Sequence, residues 1–263
     1  MIMEYEIIDF HTHPYYDEND CICIHPTSIK RSPSEFLSDI KRAGVSKFCG
    51  SVITLNKKDE NQSWWDIIKK LNDDALELKK LYGNAFIPGC TIHPDFVAES
   101  KREIDRFKAN GINLIGELVW YIQGYNSYCS ENMKEILDYA SEQDMILSVH
   151  LTNNDDMDLL CESHPNLKIV CAHPCEGELF ERHILRAKKN KNYYLDLSGG
   201  GIYRYGMTRR LIDEIGIDKI LFGSDYPICN LQMYVDGVRN DHLLSNEEKR
   251  LILAENAKRI LKI

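Results

Sequence analysis

Residues 8–14 read Ile8-Asp9-Phe10-His11-Thr12-His13-Pro14, a short apolar start that runs directly into two histidines separated by one residue. Side chains two apart on a strand point the same way, whereas on a helix they diverge by about 200 degrees. Read as a strand end, this stretch aims Asp9, His11 and His13 at one side, so the spacing has chemical meaning only in the extended conformation. A doubly wound nucleotide-binding sheet would carry a glycine-rich phosphate loop here, and the sequence carries His11-Thr12-His13-Pro14 instead.

Working outward, seven further apolar runs of strand length follow: Val45–Thr54, Ala85–Pro94, Ile112–Trp120, Met145–Thr152, Lys168–Pro174, Asn192–Ser198 and Lys219–Pro227, with Glu6–His13 as the first. Stretches of helical apolar spacing lie between them. Ser34 or Ser32 caps Glu35–Ala43, and Trp64–Leu81 places Trp64, Ile67, Ile68, Leu71, Ala75, Leu78 and Leu81 at three- and four-residue steps. Glu131–Glu142, Asp155–Ser163, Glu178–Lys189 and Thr208–Ile215 continue the alternation, and Asn246–Ala254, capped by Ser245, and Asn256–Leu261 follow the last strand. Alternation of this kind implies parallel strands with crossover helices. Eight units in 263 residues fit a closed (β/α)8 TIM barrel occupying residues 1–263 as one domain.

Catalytic groups of such barrels gather at the C-terminal ends of the strands. Six of the eight runs end in a potential ligand: His11 and His13, His93, Glu117, His150, His173 and Asp225. Imidazoles and carboxylates without thiolates suit zinc, manganese, iron or nickel, and zinc is the expectation.

Composition narrows the function classes. A net charge of −9, from 32 Lys+Arg against 41 Asp+Glu, works against a protein that grips nucleic acid by its phosphates. No apolar run approaches the roughly 20 residues of a membrane span. Glu4 and Glu6 stand where an export leader would be basic, and nine cysteines with no Cys-x-x-Cys suit free thiols; a cytoplasmic location is expected. Cys21, Cys23 and His25 lack a nearby fourth ligand for a zinc site, and His164, His183 and His242 read as solvated. Cys171 and Cys175 flank His173 at steps of two and read as inert thiols.

Ile8-Asp9-Phe10-His11-Thr12-His13, Ile115-Gly116-Glu117, His150, Ala172-His173-Pro174, Phe222-Gly223-Ser224-Asp225-Tyr226-Pro227 and Asn256-Ala257-Lys258-Arg259-Ile260-Leu261 together resemble the amidohydrolase superfamily, in its amidohydrolase-2 type. The resemblance spans nearly the whole chain and implies a distorted barrel of the metallo-dependent hydrolase type around one or two divalent metals. His11, His13 and Asp225 resemble the ligands of the more buried ion. His150 either joins that ion or begins a second site with His173. Glu117 stands at the strand-four position where binuclear members carry a bridging carboxylated Lys or a Glu, which resembles the branch that includes TatD-like metal-dependent DNases. If Glu117 bridges, the site is binuclear; if it faces away, it is mononuclear with His173 left for acid/base work.

The chemistry so implied is a metal-activated water cleaving an amide, ester or lactone of a small molecule, with Asp225 and His173 as catalytic groups. The same resemblance admits a non-oxidative decarboxylase. It also admits a TatD-like or phosphoesterase activity, although histidinol-phosphatase-like domains close with Asp-x-His where this chain has Pro227. A non-catalytic barrel would require lost ligands. His93 in Thr91-Ile92-His93-Pro94, the aromatics Trp120, Tyr121 and Tyr125, and Arg204 after Gly199-Gly200-Gly201 are candidate substrate contacts. A homodimer is the default expectation for assembly.

Overall fold

The computed structural model describes residues 5–22, 29–55 and 59–263. Cys23 and His25, part of the Cys/His trio considered above, lie outside the described residues.

Eight parallel strands form in the expected order: β1 Ile8–Thr12, β2 Lys47–Gly50, β3 Phe86–Pro88, β4 Leu114–Leu118, β5 Ile146–Val149, β6 Lys168–Cys171, β7 Tyr193–Asp196 and β8 Ile220–Leu221. They make two arcs, β1-β2-β3 and β4 to β8 in sequence order. The arcs meet at both edges. Isolated parallel bridges join Cys90 to Ile115 and Thr12 to Tyr226, and Phe10 N donates to Phe222 O at 2.8 Å while Asp225 N donates to His11 O at 2.9 Å. The ring is thus a distorted barrel whose seams fall beside β1 and β4, the strands that carry His11, His13 and Glu117. β1, β4 and β5 are buried along their whole length, so that their polar residues, Asp9, His11, Thr12, Glu117 and Ser148, are buried with them.

The helices wrap this ring: α1 Pro33–Arg42, α2 Trp64–Tyr82, α3 Val97–Ala109, α4 Trp120–Gln123, α5 Glu131–Glu142, α6 Asn154–Ser163, α7 Gly177–Lys189, α8 Met207–Ile215, α9 Leu231–Arg239, α10 Asn246–Arg250 and α11 Asn256–Leu261. Ser32, not Ser34, caps α1, in a capping box with Glu35 and with Pro33 as first helical residue. Ser63 and Asp66 make the same box on α2. Three helices escaped the sequence reading. In α3, Glu103 and Ser100 are buried beside Ile104 and Phe107, so its inner face is not purely apolar; α4 is a single turn, and α9 carries Gly237 in its interior. The helix expected over Asn246–Ala254 changes to a π-helical turn at Leu251–Glu255 before α11.

Two other expectations are corrected. His164 and His183 are buried at 3% and 0% exposure. His183 lies on the inner face of α7 with Nδ1 2.8 Å from the Tyr193 hydroxyl, and burial lowers its pKa to about 3. Their place in a helix or connection had suggested solvated rings, but His164 ends α6 as its buried C-cap and His183 shares the buried face of α7 with Phe180, Ile184 and Ala187.

Candidate metal centre

The strand ends converge as the period-two argument requires. His11 Nε2 and His13 Nε2 lie 3.1 Å apart, and each is 3.3 Å from Glu117 Oε2. Asp225 Oδ1 lies 3.6 Å from His11 Nε2 and 3.4 Å from His13 Nε2. The other carboxylate oxygen of Glu117 faces a second pair: Oε1 is 3.1 Å from His150 Nδ1 and 3.8 Å from His173 Nε2. Two clusters of potential donors therefore share one residue, His11-His13-Glu117 and Glu117-His150-His173.

Local backbone irregularity produces this aim. The β1–β2 register shifts between Asp9 and Thr12, and the β4–β5 register shifts between Ile115 and Leu118. These shifts flank His11 and Glu117, and an irregularity of this kind redirects side chains at barrel rims. Gly116 sits at φ +87°, and a Cβ there would stand 2.1 Å from Ser148 O, so only glycine can precede Glu117 in this conformation. His173 and Asp225 both hold φ +62°, an uncommon conformation for non-glycine residues that concentrates at functional sites.

Hydrogen bonds to the far side of each ring fix what the near side presents. His11 Nδ1 lies 3.1 Å from Asp196 Oδ2, and His13 Nδ1 lies 3.4 Å from the Ser51 carbonyl. Carboxylates and carbonyls only accept, so both Nδ1 atoms carry the proton and both Nε2 atoms turn a lone pair inward. Ser198 Oγ donates to Asp196 Oδ1 and lies 3.1 Å from His11 Nδ1 and 3.0 Å from His173 Nδ1, which makes one hydroxyl the support of a ring in each cluster. The fit to a cation follows. With both rings neutral, two imidazole lone pairs, Glu117 Oε2 and Asp225 Oδ1 face one another with no proton donor among them, and Asp225 Oδ1 is buried without a hydrogen-bond partner among the described residues. Electrostatics agree: burial disfavours charge on His11, yet Glu117 and Asp196 outweigh it and hold the imidazole well above its ordinary pKa. Burial likewise works against the Glu117 anion, and His11, His13 and His150 nonetheless hold it well below the usual carboxylate range. The cluster demands positive charge, as protons or as an ion.

Above these groups opens a cavity of about 280 Å³, lined by His13, Glu117, His150, His173 and Asp225 at its floor. Recesses of about 510 and 540 Å³ elsewhere on the surface contain none of these donors.

Of the candidate substrate contacts expected from the sequence, Tyr121 lines this cavity, and His93, Trp120, Tyr125 and Arg204 do not. His93 is fully buried, with Nε2 3.1 Å from Gln123 O and Nδ1 accepting from Asp95 N at 3.1 Å, so it serves the packing between β3 and α4. Trp120 packs against the core and donates to Leu151 O at 3.2 Å, leaving Tyr121 to reach the cavity in its place. Arg204 is exposed and paired with Glu176 at 2.8 Å, on a different recess. Conversely, Asp196, Ser198 and Ser51 were missed. Asp196 and Ser198 are two apart at the end of the seventh run, the same period-two signal that singled out His11 and His13. All eight described cysteines are free, and burial raises the Cys171 thiol.

A family model described as Amidohydrolase matches residues 8–263, and the chain belongs to that family, in its amidohydrolase-2 branch. Solved structures share the barrel. A 5-carboxyvanillate decarboxylase from Novosphingobium aromaticivorans, with bound manganese, superposes with a TM-score of 0.75 at 14% identity, covering 98% of this chain and 97% of its own. A 2,6-dihydroxybenzoate decarboxylase from Rhizobium gives 0.70 at 16%, with 98% and 99% covered, and an uncharacterized TIM-barrel protein from Bordetella bronchiseptica gives 0.75 at 19%, with 98% of each covered. Among curated proteins no match is found. No helix among the described residues is long and apolar enough to cross a membrane.

Proposed function

We propose that this chain is a binuclear metal-dependent hydrolase acting on an amide, ester or lactone bond of a small molecule. The observation that carries the reading is Glu117, whose two oxygens face two separate histidine pairs within 3.8 Å. Paired divalent ions sharing a ligand are a recurrent arrangement in enzymes that direct water at a carbonyl or phosphoryl centre. His11, His13, Glu117 and Asp225 would hold the more buried ion, and Glu117, His150 and His173 the outer one. When bound, such ions polarise the scissile carbonyl and lower the pKa of water towards about 7. Zinc, manganese, iron and nickel all suit the donor set.

The side chains supply the rest. The ionised carboxylate of Asp225, at the edge of the cavity, accepts the proton of the attacking water and returns it to the leaving group. Its carboxyl stays ionised near neutrality, because burial, which opposes the charge, is outweighed by His13 and His11. His173 remains neutral, its pKa lowered by burial, with Nε2 free for the site while Ser198 holds Nδ1. Asp196, Ser198 and Ser51 keep the rings in the tautomer the site needs.

Decarboxylation is the second reading, favoured by the solved decarboxylases that share this fold. A panel of small amides, esters, lactones and aromatic carboxylic acids, run in ¹⁸O-labelled water, separates the two. Hydrolysis places one label in the product acid, whereas carbon dioxide release with no label in the organic product overturns the hydrolase reading.

A further inference from the structure

The walls of the cavity differ in kind from its floor. Ile22, Ile53 and Val119 form a hydrophobic cluster separate from the barrel core, with Ile122 packed against it, and all four border the same cavity as His13 and Glu117. Leu55 and Ile228 complete the collar while remaining 41% and 52% exposed. Apolar side chains held in partial contact with water at a cavity mouth are not explained by the core, which is closed without them. Among the described lining residues there is no Lys or Arg, and the one guanidinium the sequence offered, Arg204, is paired with Glu176 elsewhere. Among the described lining residues a fixed anion entering the collar would lose its water without meeting a Lys or Arg. The space is small: about 280 Å³ holds the volume of roughly nine waters at ~30 Å³ each.

Resting on the metal-dependent reading above, we infer that the substrate is a compact molecule, on the order of ten non-hydrogen atoms within the site, whose group next to the reacting bond is uncharged and apolar. Ile22, Ile53, Leu55, Val119, Ile122 and Ile228 select it by excluding charge and burying hydrocarbon. Apart from the exposed Tyr121, the polar side chains among the described lining residues are the donors of the centre, so burying hydrocarbon and serving the reaction fall to different residues.

Metal-loaded protein titrated calorimetrically with straight-chain alkyl hydroxamates of two to eight carbons tests this without turnover, because the hydroxamate head seeks the ions and the tail samples the collar. Affinity should rise roughly fourfold per methylene until the cavity fills, near five or six carbons. A hydroxamate ending in a carboxylate should bind at least tenfold more weakly than its alkyl counterpart of equal length. Leu55→Lys and Ile228→Lys, both at partly exposed positions that tolerate a charge, should reverse that preference. Hydroxamate binding that is indifferent to tail length, or stronger with the terminal carboxylate in the unmodified protein, overturns the collar and leaves the metal reading standing. Absence of binding by every hydroxamate overturns the metal reading and the collar with it.

Discussion

The two donor clusters that share Glu117 are built to different standards of enclosure. Around His11 and His13 every partner is buried, each outer ring nitrogen is held by a protein acceptor, and the backbone of β1 is locked to β8 by hydrogen bonds on both sides of His11. Around His150 and His173 the side chains are 26% and 14% exposed, and both open onto the cavity. The difference teaches that the inner cluster is organised before any ion arrives, while the outer one relies on Glu117 and on the single hydroxyl of Ser198. An inner ion should then be retained and an outer ion exchangeable.

The strongest test removes the group that serves chemistry more than binding. Asp225→Asn should lower turnover on the order of 10³-fold while elemental analysis still finds metal; full activity would remove Asp225 from the mechanism. Next comes the shared residue. In Glu117→Ala two equivalents of metal should be lost together, whereas one equivalent left unchanged would show that the carboxylate does not bridge. His150→Ala should strip the outer ion alone, taking the content from two equivalents to one, and loss of both would erase the proposed asymmetry. Ser198→Ala should weaken metal affinity about 10- to 100-fold in both clusters, because His11 and His173 lose the same support. An effect confined to one cluster, read by metal titration, would sever the link.

The smallest expected effect concerns a histidine outside the centre. His183 is as buried as His11 but faces no carboxylate at contact distance, so burial drives its pKa down to about 3 instead of up. The unfolded chain takes a proton on this ring below about 6.5 and the folded chain does not, so stability is full above that pH and falls as the pH drops towards 3. One unit below 6.5 the loss is roughly 1.4 kcal/mol. His183→Gln should flatten the difference in unfolding free energy between pH 6.5 and 5; an unchanged slope in denaturant titrations would show that the ring titrates normally.

Legibility followed the reach of each signal. A period of two along a strand is a local property, and it singled out His11 and His13; the position of a polar residue at the end of an apolar run is local too, and it singled out Glu117, His150, His173 and Asp225, all of which the fold brings to one place. The same period runs through Asp196 and Ser198 and was there to be read. His93, Trp120 and Arg204 were chosen for chemical type and nearness to strand ends, and each is claimed by a partner no spacing reveals: Gln123 O, Leu151 O and Glu176. Loop direction depends on contacts between segments far apart in sequence, so type and proximity cannot fix it.

By itself, then, the sequence determined eight parallel strands, their closing into a barrel and the ends at which donors collect, because the apolar period and the strand-end residues are properties of each segment alone. Tertiary structure decided how those donors divide. Whether Glu117 bridges turns on a register shift between Ile115 and Leu118 and on Gly116 lying against Ser148 of the next strand. It also turned His183 inward and built an apolar collar from residues on segments far apart in sequence. Register, helix packing and cavity walls arise only when distant segments meet, and no period within one segment encodes them.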